Sequence, residues 1–243
     1  MWFASGLLAP VVAVFPVQTP ASLPGGGSHG GGAVTGGDGG FGGSPDELLD
    51  PWVWGVVYTG FIVQALALGA LFVRYARERR GHLRRGRVGT LPDSPTGAAR
   101  RQSAAAVVVL AVLPAVTHLL WAAGGTAGPN PARSATQDLN SRLNDTGYVL
   151  FAALAAAGAL MLGYGRGRRV PLLLPLAAAW TGSAALACWG GWMMLTGITA
   201  DAGGPMPPSP LLSVTYAVQM IVGMLVAVAG AHFFAEREAA RCG

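Results

Sequence analysis

Six stretches of this 243-residue chain contain no Asp, Glu, Lys or Arg, and they leave few folds open to it. They cover residues 1–18, 51–73, 104–123, 147–165, 170–197 and 210–235. An uncharged apolar run of about 18 residues or more can cross the hydrocarbon of a bilayer as a helix. Lipid offers no partner to a backbone N–H or C=O, so a crossing segment must satisfy its own polar groups. Strands of a membrane barrel would be about ten residues long and alternate in polarity, whereas these runs are longer and apolar on every side. Composition agrees, because only 11% of the residues are charged against about a quarter in a soluble domain. The expected fold is all-α: a polytopic membrane helix bundle of six transmembrane helices. The first run is short, carries Pro10 and Pro16, and lacks the basic start of a signal peptide. If it is cleaved all the same, five helices remain. Pro114 is expected to kink the third helix, since proline removes a backbone donor in mid-helix.

Basic residues set the orientation. The chain has 16 arginines and no lysine. Seven of them stand in "RYARERRGHLRRGR": Arg74, Arg77, Arg79, Arg80, Arg84, Arg85 and Arg87. With Arg100 and Arg101 the 74–103 connection holds nine, the 166–169 turn three and the C-terminal tail two. The connections on the alternate side hold two in all, Arg133 and Arg142. Cytoplasmic connections carry the excess of basic residues. Both termini are therefore expected in the cytoplasm, and the chain in the plasma (inner) membrane. The seven-arginine segment reads most simply as a stop-transfer anchor, and its sharper use would be a site for anionic lipid headgroups. A pI near 9.9 does not imply nucleic acid, because the arginines flank apolar runs instead of building one basic face. Membrane lipids are the expected partners, with a partner protein or a second copy of the chain as further candidates.

The expected organisation has three parts. Residues 1–18 form a first transmembrane helix or signal-like segment. Residues 19–50 form a glycine-rich outer loop, whose "GGGSHGGGAVTGGDGGFGG" cannot bury enough apolar area to offset its ordering entropy. Residues 51–243 form a helical membrane domain with its basic cytoplasmic loop at 74–103. The glycine tract lacks the G-x-x-x-x-G-K-[ST] pattern of a phosphate-binding loop. Cys188 and Cys242 are expected on opposite sides of the membrane, and no C-x-x-C spacing occurs, so neither a disulfide nor a zinc site is expected. No metal and no cofactor are assigned.

Polar groups inside the apolar runs are the candidate site residues. His118 lies in the outer third of the third run, with Trp121 on the same helix face at i+3. Gln64 sits near the middle of the second run and Gln219 in the outer half of the sixth. Trp189 stands beside Cys188 near the outer end of the fifth. Each has a plainer role as well: amides and histidines hold helices together by hydrogen bonds, and tryptophans anchor helix ends among headgroups. His118 and His232 differ in depth by about 16 Å at 1.5 Å per residue, too much for axial ligands of one haem. Two stripes of small residues, Ala155–Ala159–Gly163 and Gly223–Ala227–Ala231, predict close helix seams.

The stretch "THLLWAAGGTAG", residues 117–128, resembles the H-x-x-W-A-x-G-G stretch of uncharacterised multi-pass membrane proteins of actinobacteria, as do "GGWMML" and "AHFFAERE" in flavour. The resemblance covers about a dozen residues. It implies a membrane location and draws attention to His118, Trp121, Gly124 and Gly125, with no activity attached.

Neither H-E-x-x-H nor G-x-S-x-G is present, and no carboxylate is expected at depth. The first expectation for function is therefore non-enzymatic, a binding or structural role. The second is a facilitator for a small neutral or apolar solute, since ion-coupled carriers rely on ionisable groups or broken helices near the midplane. The third is a membrane enzyme that joins His118 to outer-loop carboxylates such as Asp138, Asp145 or Asp201. No catalytic residue is assigned.

Overall fold

The structure, a computed structural model, describes residues 97–128, 139–199 and 209–242, residue 137, residues 86–88 and a spaced set of positions between 56 and 78. The first run, the glycine-rich connection and most of the basic connection fall outside the described residues. Every described position between 56 and 78 is helical.

Four long helices make up the rest: α1, Gly97–Ala122; α2, Leu139–Tyr164; α3, Leu173–Thr199; and α4, Pro210–Cys242. Each is long and apolar enough to cross a membrane. They correspond to the third to sixth apolar runs, but three of them extend further than those runs. α1 starts before Arg100 and Arg101, α2 takes in Arg142 and Asp145, and α4 continues past Glu236. Hydropathy finds where a helix is apolar; backbone hydrogen bonding decides where it ends. The expectation that the spans hold no charged group is thereby corrected. α1 runs unbroken through Pro114, whose ring is fully buried.

The helix ends follow from local chemistry. α4 starts at Pro210, whose missing N–H costs nothing in the first turn. Ser209 caps it, its hydroxyl accepting from Leu212 N–H at 3.2 Å. α1 ends on a Schellman motif: Gly125 N–H donates to Leu120 O at 2.7 Å and Gly124 N–H to Trp121 O at 2.9 Å. That motif puts Gly124 at φ 88°, a conformation that a Cβ disfavours. The paired glycines after Trp121 thus have a structural reason.

The helices form a ring in which α1 and α3 each pack on α2 and α4, and the diagonal pairs barely touch. Both seams along α3 depend on glycine. A Cβ on Gly182 would come 2.6 Å from Phe151 O, and one on Gly223 2.5 Å from Ser183 O. Small-residue stripes do mark seams: Gly163 meets Ala104 of α1, and Ala155 and Ala159 are buried, although Ala231 at the end of the α4 stripe is exposed. At the arginine-rich end, residues 86–88 lie along the α2–α3 turn. Val88 N–H donates to Val170 O at 3.1 Å and Leu172 N–H to Gly86 O at 3.0 Å. Val88, Leu172 and Phe233 are buried beneath this clasp, and Arg100 pairs with Glu236 at 3.4 Å beside it.

Candidate functional site

The opposite end of the bundle holds a polar cluster in an apolar frame. His118 stands four residues before the end of α1, Asp145 in the second turn of α2, and Gln219 in the third turn of α4. His118 Nδ1 lies 2.8 Å from Asp145 Oδ1. Its Nε2 lies 3.1 Å from Gln219 Oε1. The imidazole is 1% exposed and the Asp145 side chain 13%. One ring thus ties three helices together by side-chain hydrogen bonds.

Aromatic side chains enclose the imidazole. Tyr148 stacks on it at 4.5 Å between centroids and 25° between planes. Trp121 meets it edge to face at 5.1 Å and 88°, and Tyr216 lies 6.0 Å away at a tilt. Such pairs add about 1 kcal/mol each beyond the area they bury. The Trp121 indole N–H donates to Ala127 O at 2.9 Å, which folds the residues after the α1 cap back over the cluster. Trp121, Leu212 and Tyr216 form an apolar knot with Met193 and Met194 of α3 packed against it. All four helices therefore meet here. Helix geometry explains the convergence: Trp121 repeats the His118 face at i+3, Tyr148 that of Asp145, and Thr215 and Gln219 are one turn apart on α4.

Hydrogen bonding in the cluster is incomplete. The Gln219 amide nitrogen and the Thr215 hydroxyl are buried and make no hydrogen bond. The Tyr148 hydroxyl is buried with the Asn144 side chain near it, again without the geometry of a hydrogen bond. Both ring nitrogens of His118, by contrast, are engaged, so the ring cannot ligate a metal or accept a substrate proton without giving up a bond. Among the described residues no group of three His, Cys, Asp or Glu side chains is placed to hold a metal ion.

The other sequence candidates scatter. Gln64 is helical and exposed, and His232 is exposed in the last third of α4. Trp189 is buried in α3 one turn before Met193. Arg74 pairs with Glu78 at 3.2 Å on an exposed helix face, and Arg87 bridges to Pro171. Arg77, Arg79, Arg80, Arg84 and Arg85 lie outside the described residues, as do Asp138 and Asp201.

Asp145, expected in an outer loop, is the correction that matters most. It belongs to α2 and is the partner of His118. Tyr148 escaped the sequence reading altogether. The signal for both was the uninterrupted helical spacing Asp145–Tyr148–Ala152–Ala155, whose last three members are buried; it was hidden because the polar "RLNDT" reads as a connection by hydropathy.

No known protein family matches the chain, and no curated protein or solved structure shows a significant likeness to it. The geometry of the His118 cluster is accordingly the ground for a functional reading.

Proposed function

We propose that the chain is a multi-pass protein of the plasma (inner) membrane, crossing six times with both termini in the cytoplasm, and that it acts by binding or as a structural component instead of by catalysis. The carrying observation is that large apolar side chains stand exposed along the outside of the described helices. Val109, Val112 and Val116 of α1 and Ile221, Met224 and Val228 of α4 are all about half exposed or more. A surface of that kind is suited to lipid and not to water. The charges divide in the same sense. Arg101, Arg166, Arg168 and Arg169 are exposed at one end of the bundle, which fits a cytoplasmic face in contact with anionic headgroups.

The binding reading draws on the cluster at the other end. An ionisable pair about one helical turn inside the ends of two apolar helices costs more than an apolar contact of equal volume. Its enclosure by aromatic rings, with both imidazole nitrogens engaged, suits a fixed recognition element better than a nucleophile. An open path for a solute is not favoured, because His118 and Gln219 are sealed from the surface.

Topology is tested with accessible tags in intact cells. A tag near residue 85 should be shielded and one near residue 130 reachable from outside. The reverse pattern, or a chain that stays soluble without detergent, overturns the membrane reading. The binding reading is tested by native mass spectrometry of protein released from membranes. Lipid or another apolar molecule should stay with the wild type and be depleted in Trp121→Ala. A bare wild type overturns it.

A further inference from the structure

The centre of the cluster, His118 with Gln219 and Thr215, lies beneath the aromatic frame and is closed even to a ligand held by that frame. The imidazole is 1% exposed, Gln219 and Thr215 are 0%, and four helices surround them. What such a site can still take up is a proton, and its hydrogen bonds leave one proton undecided. As placed, His118 faces an acceptor on each side: the Asp145 carboxylate at 2.8 Å and the Gln219 amide oxygen at 3.1 Å. Two acceptors call for N–H on both ring nitrogens, an imidazolium. The Gln219 NH2 group meanwhile has no partner, although a buried donor left unpaired is costly. Turning the amide by half a rotation reverses this. The NH2 group then donates to a bare Nε2, and the ring is neutral with its proton on Nδ1, held by Asp145. The oxygen and nitrogen of a glutamine amide are close to equal in shape, so one backbone frame accommodates both states.

From this we infer that Asp145, His118 and Gln219 form a reversible proton-binding site. On uptake, the Nε2 lone pair forms an N–H bond with the incoming proton. The hydrogen bond from the Gln219 NH2 group breaks, and the amide turns its oxygen to accept the new N–H. Asp145 stays a carboxylate throughout, so the pair passes from a net charge of −1 to zero. Asp145, at 13% exposure, is the member of the three closest to solvent.

The surroundings permit both charge states. From α2 come Asp145, Tyr148 and, one turn earlier, Arg142, whose guanidinium reaches Gly124 at the end of α1. From α1 comes Trp121, and from α4 come Thr215, Tyr216 and Gln219. α3 contributes Met193 and Met194 and carries no acidic or basic side chain, its titratable Cys188 lying more than a turn further along. Among the described residues Arg142 is the basic side chain nearest to Asp145 in sequence, and the imidazolium adds a second positive charge when the ring is protonated. This inference goes beyond the binding reading, and it stands or falls separately, because its readout is the ring itself.

The test is nitrogen NMR of the full chain in lipid nanodiscs, with ¹⁵N-histidine label and with His29→Gln and His82→Gln leaving two histidines, His118 and the exposed His232. Across a pH series the His118 ring should convert between N–H on both nitrogens and N–H on one, with a hydrogen-bonded Nε2 in the second state. In Gln219→Glu, whose carboxylate accepts and does not donate, the ring should stay doubly protonated over the same series. A His118 ring that keeps one pattern in the wild type while His232 titrates in the same sample overturns the inference, and so does a Gln219→Glu ring that titrates like the wild type.

Discussion

His118 carries two side-chain hydrogen bonds, to Asp145 and Gln219, and its replacement shows how the cost is distributed. His118→Phe keeps the stacking on Tyr148 but leaves a part-buried carboxylate and a buried amide without partners. Breaking one member of a buried pair typically costs about 3 kcal/mol or more. The variant should therefore unfold at clearly lower temperature in the same detergent, and adding Asp145→Leu should recover much of the loss. If the double variant is as unstable as the single one, the cost lies in packing and not in the stranded charge. Asp145→Asn keeps an oxygen that accepts from Nδ1–H, so it should lose about 1 kcal/mol. The identity of His118 as a special residue was legible in the sequence, since a histidine within an apolar run is rare. Asp145 was legible only as one of three carboxylates, with Asp138 and Asp201, and placed in a loop, because the neighbour of a side chain across a bundle depends on where another helix begins.

At the scale of elements, glycines set the spacing of the helices, and two on α4 make a paired test. Gly223 lies against the backbone of α3, where a Cβ would come 2.5 Å from Ala187 N. Gly223→Ala should force α3 and α4 apart and cost about 1–3 kcal/mol. Gly230, two turns further along, has nothing within 4 Å of the same position. Gly230→Ala should be neutral or should stabilise the helix by up to about 1 kcal/mol, as alanine replaces glycine in a helix interior. Thermal unfolding of the two variants side by side checks both, and equal effects would remove the seam argument. The stripes of small residues announced seams without saying which helices met. That assignment needed the ring order, in which Gly223 faces α3, Gly163 faces α1, and Gly182 of α3 faces α2.

For the whole molecule, the solvent that surrounds the bundle governs every other effect. Val109 sits halfway along α1 and is 70% exposed. In lipid, Val109→Asp should cost about 3 kcal/mol of insertion free energy and reduce the amount of chain recovered with membranes. In water, the same change would cover an apolar surface and raise the soluble yield, so the sign of the result discriminates. A further contrast is between the two ends of the bundle. One carries exposed arginines around the buried Val88–Leu172–Phe233 contact, and the other carries the His118 cluster under the folded-back end of α1.

The sequence by itself determined that the described part of the chain is built of helices, that four of these are long and apolar enough for a bilayer, and which polar side chains stand out within them. Those properties depend on the local run of residue types, because a bilayer selects segments one at a time by length and charge. The tertiary structure decided that Asp145 lies inside α2 and that it and Gln219 meet at one imidazole. A polar turn such as "RLNDT" can continue a helix once its carboxylate has a partner. That partner stood on another helix, 27 residues away in sequence and 2.8 Å away in space.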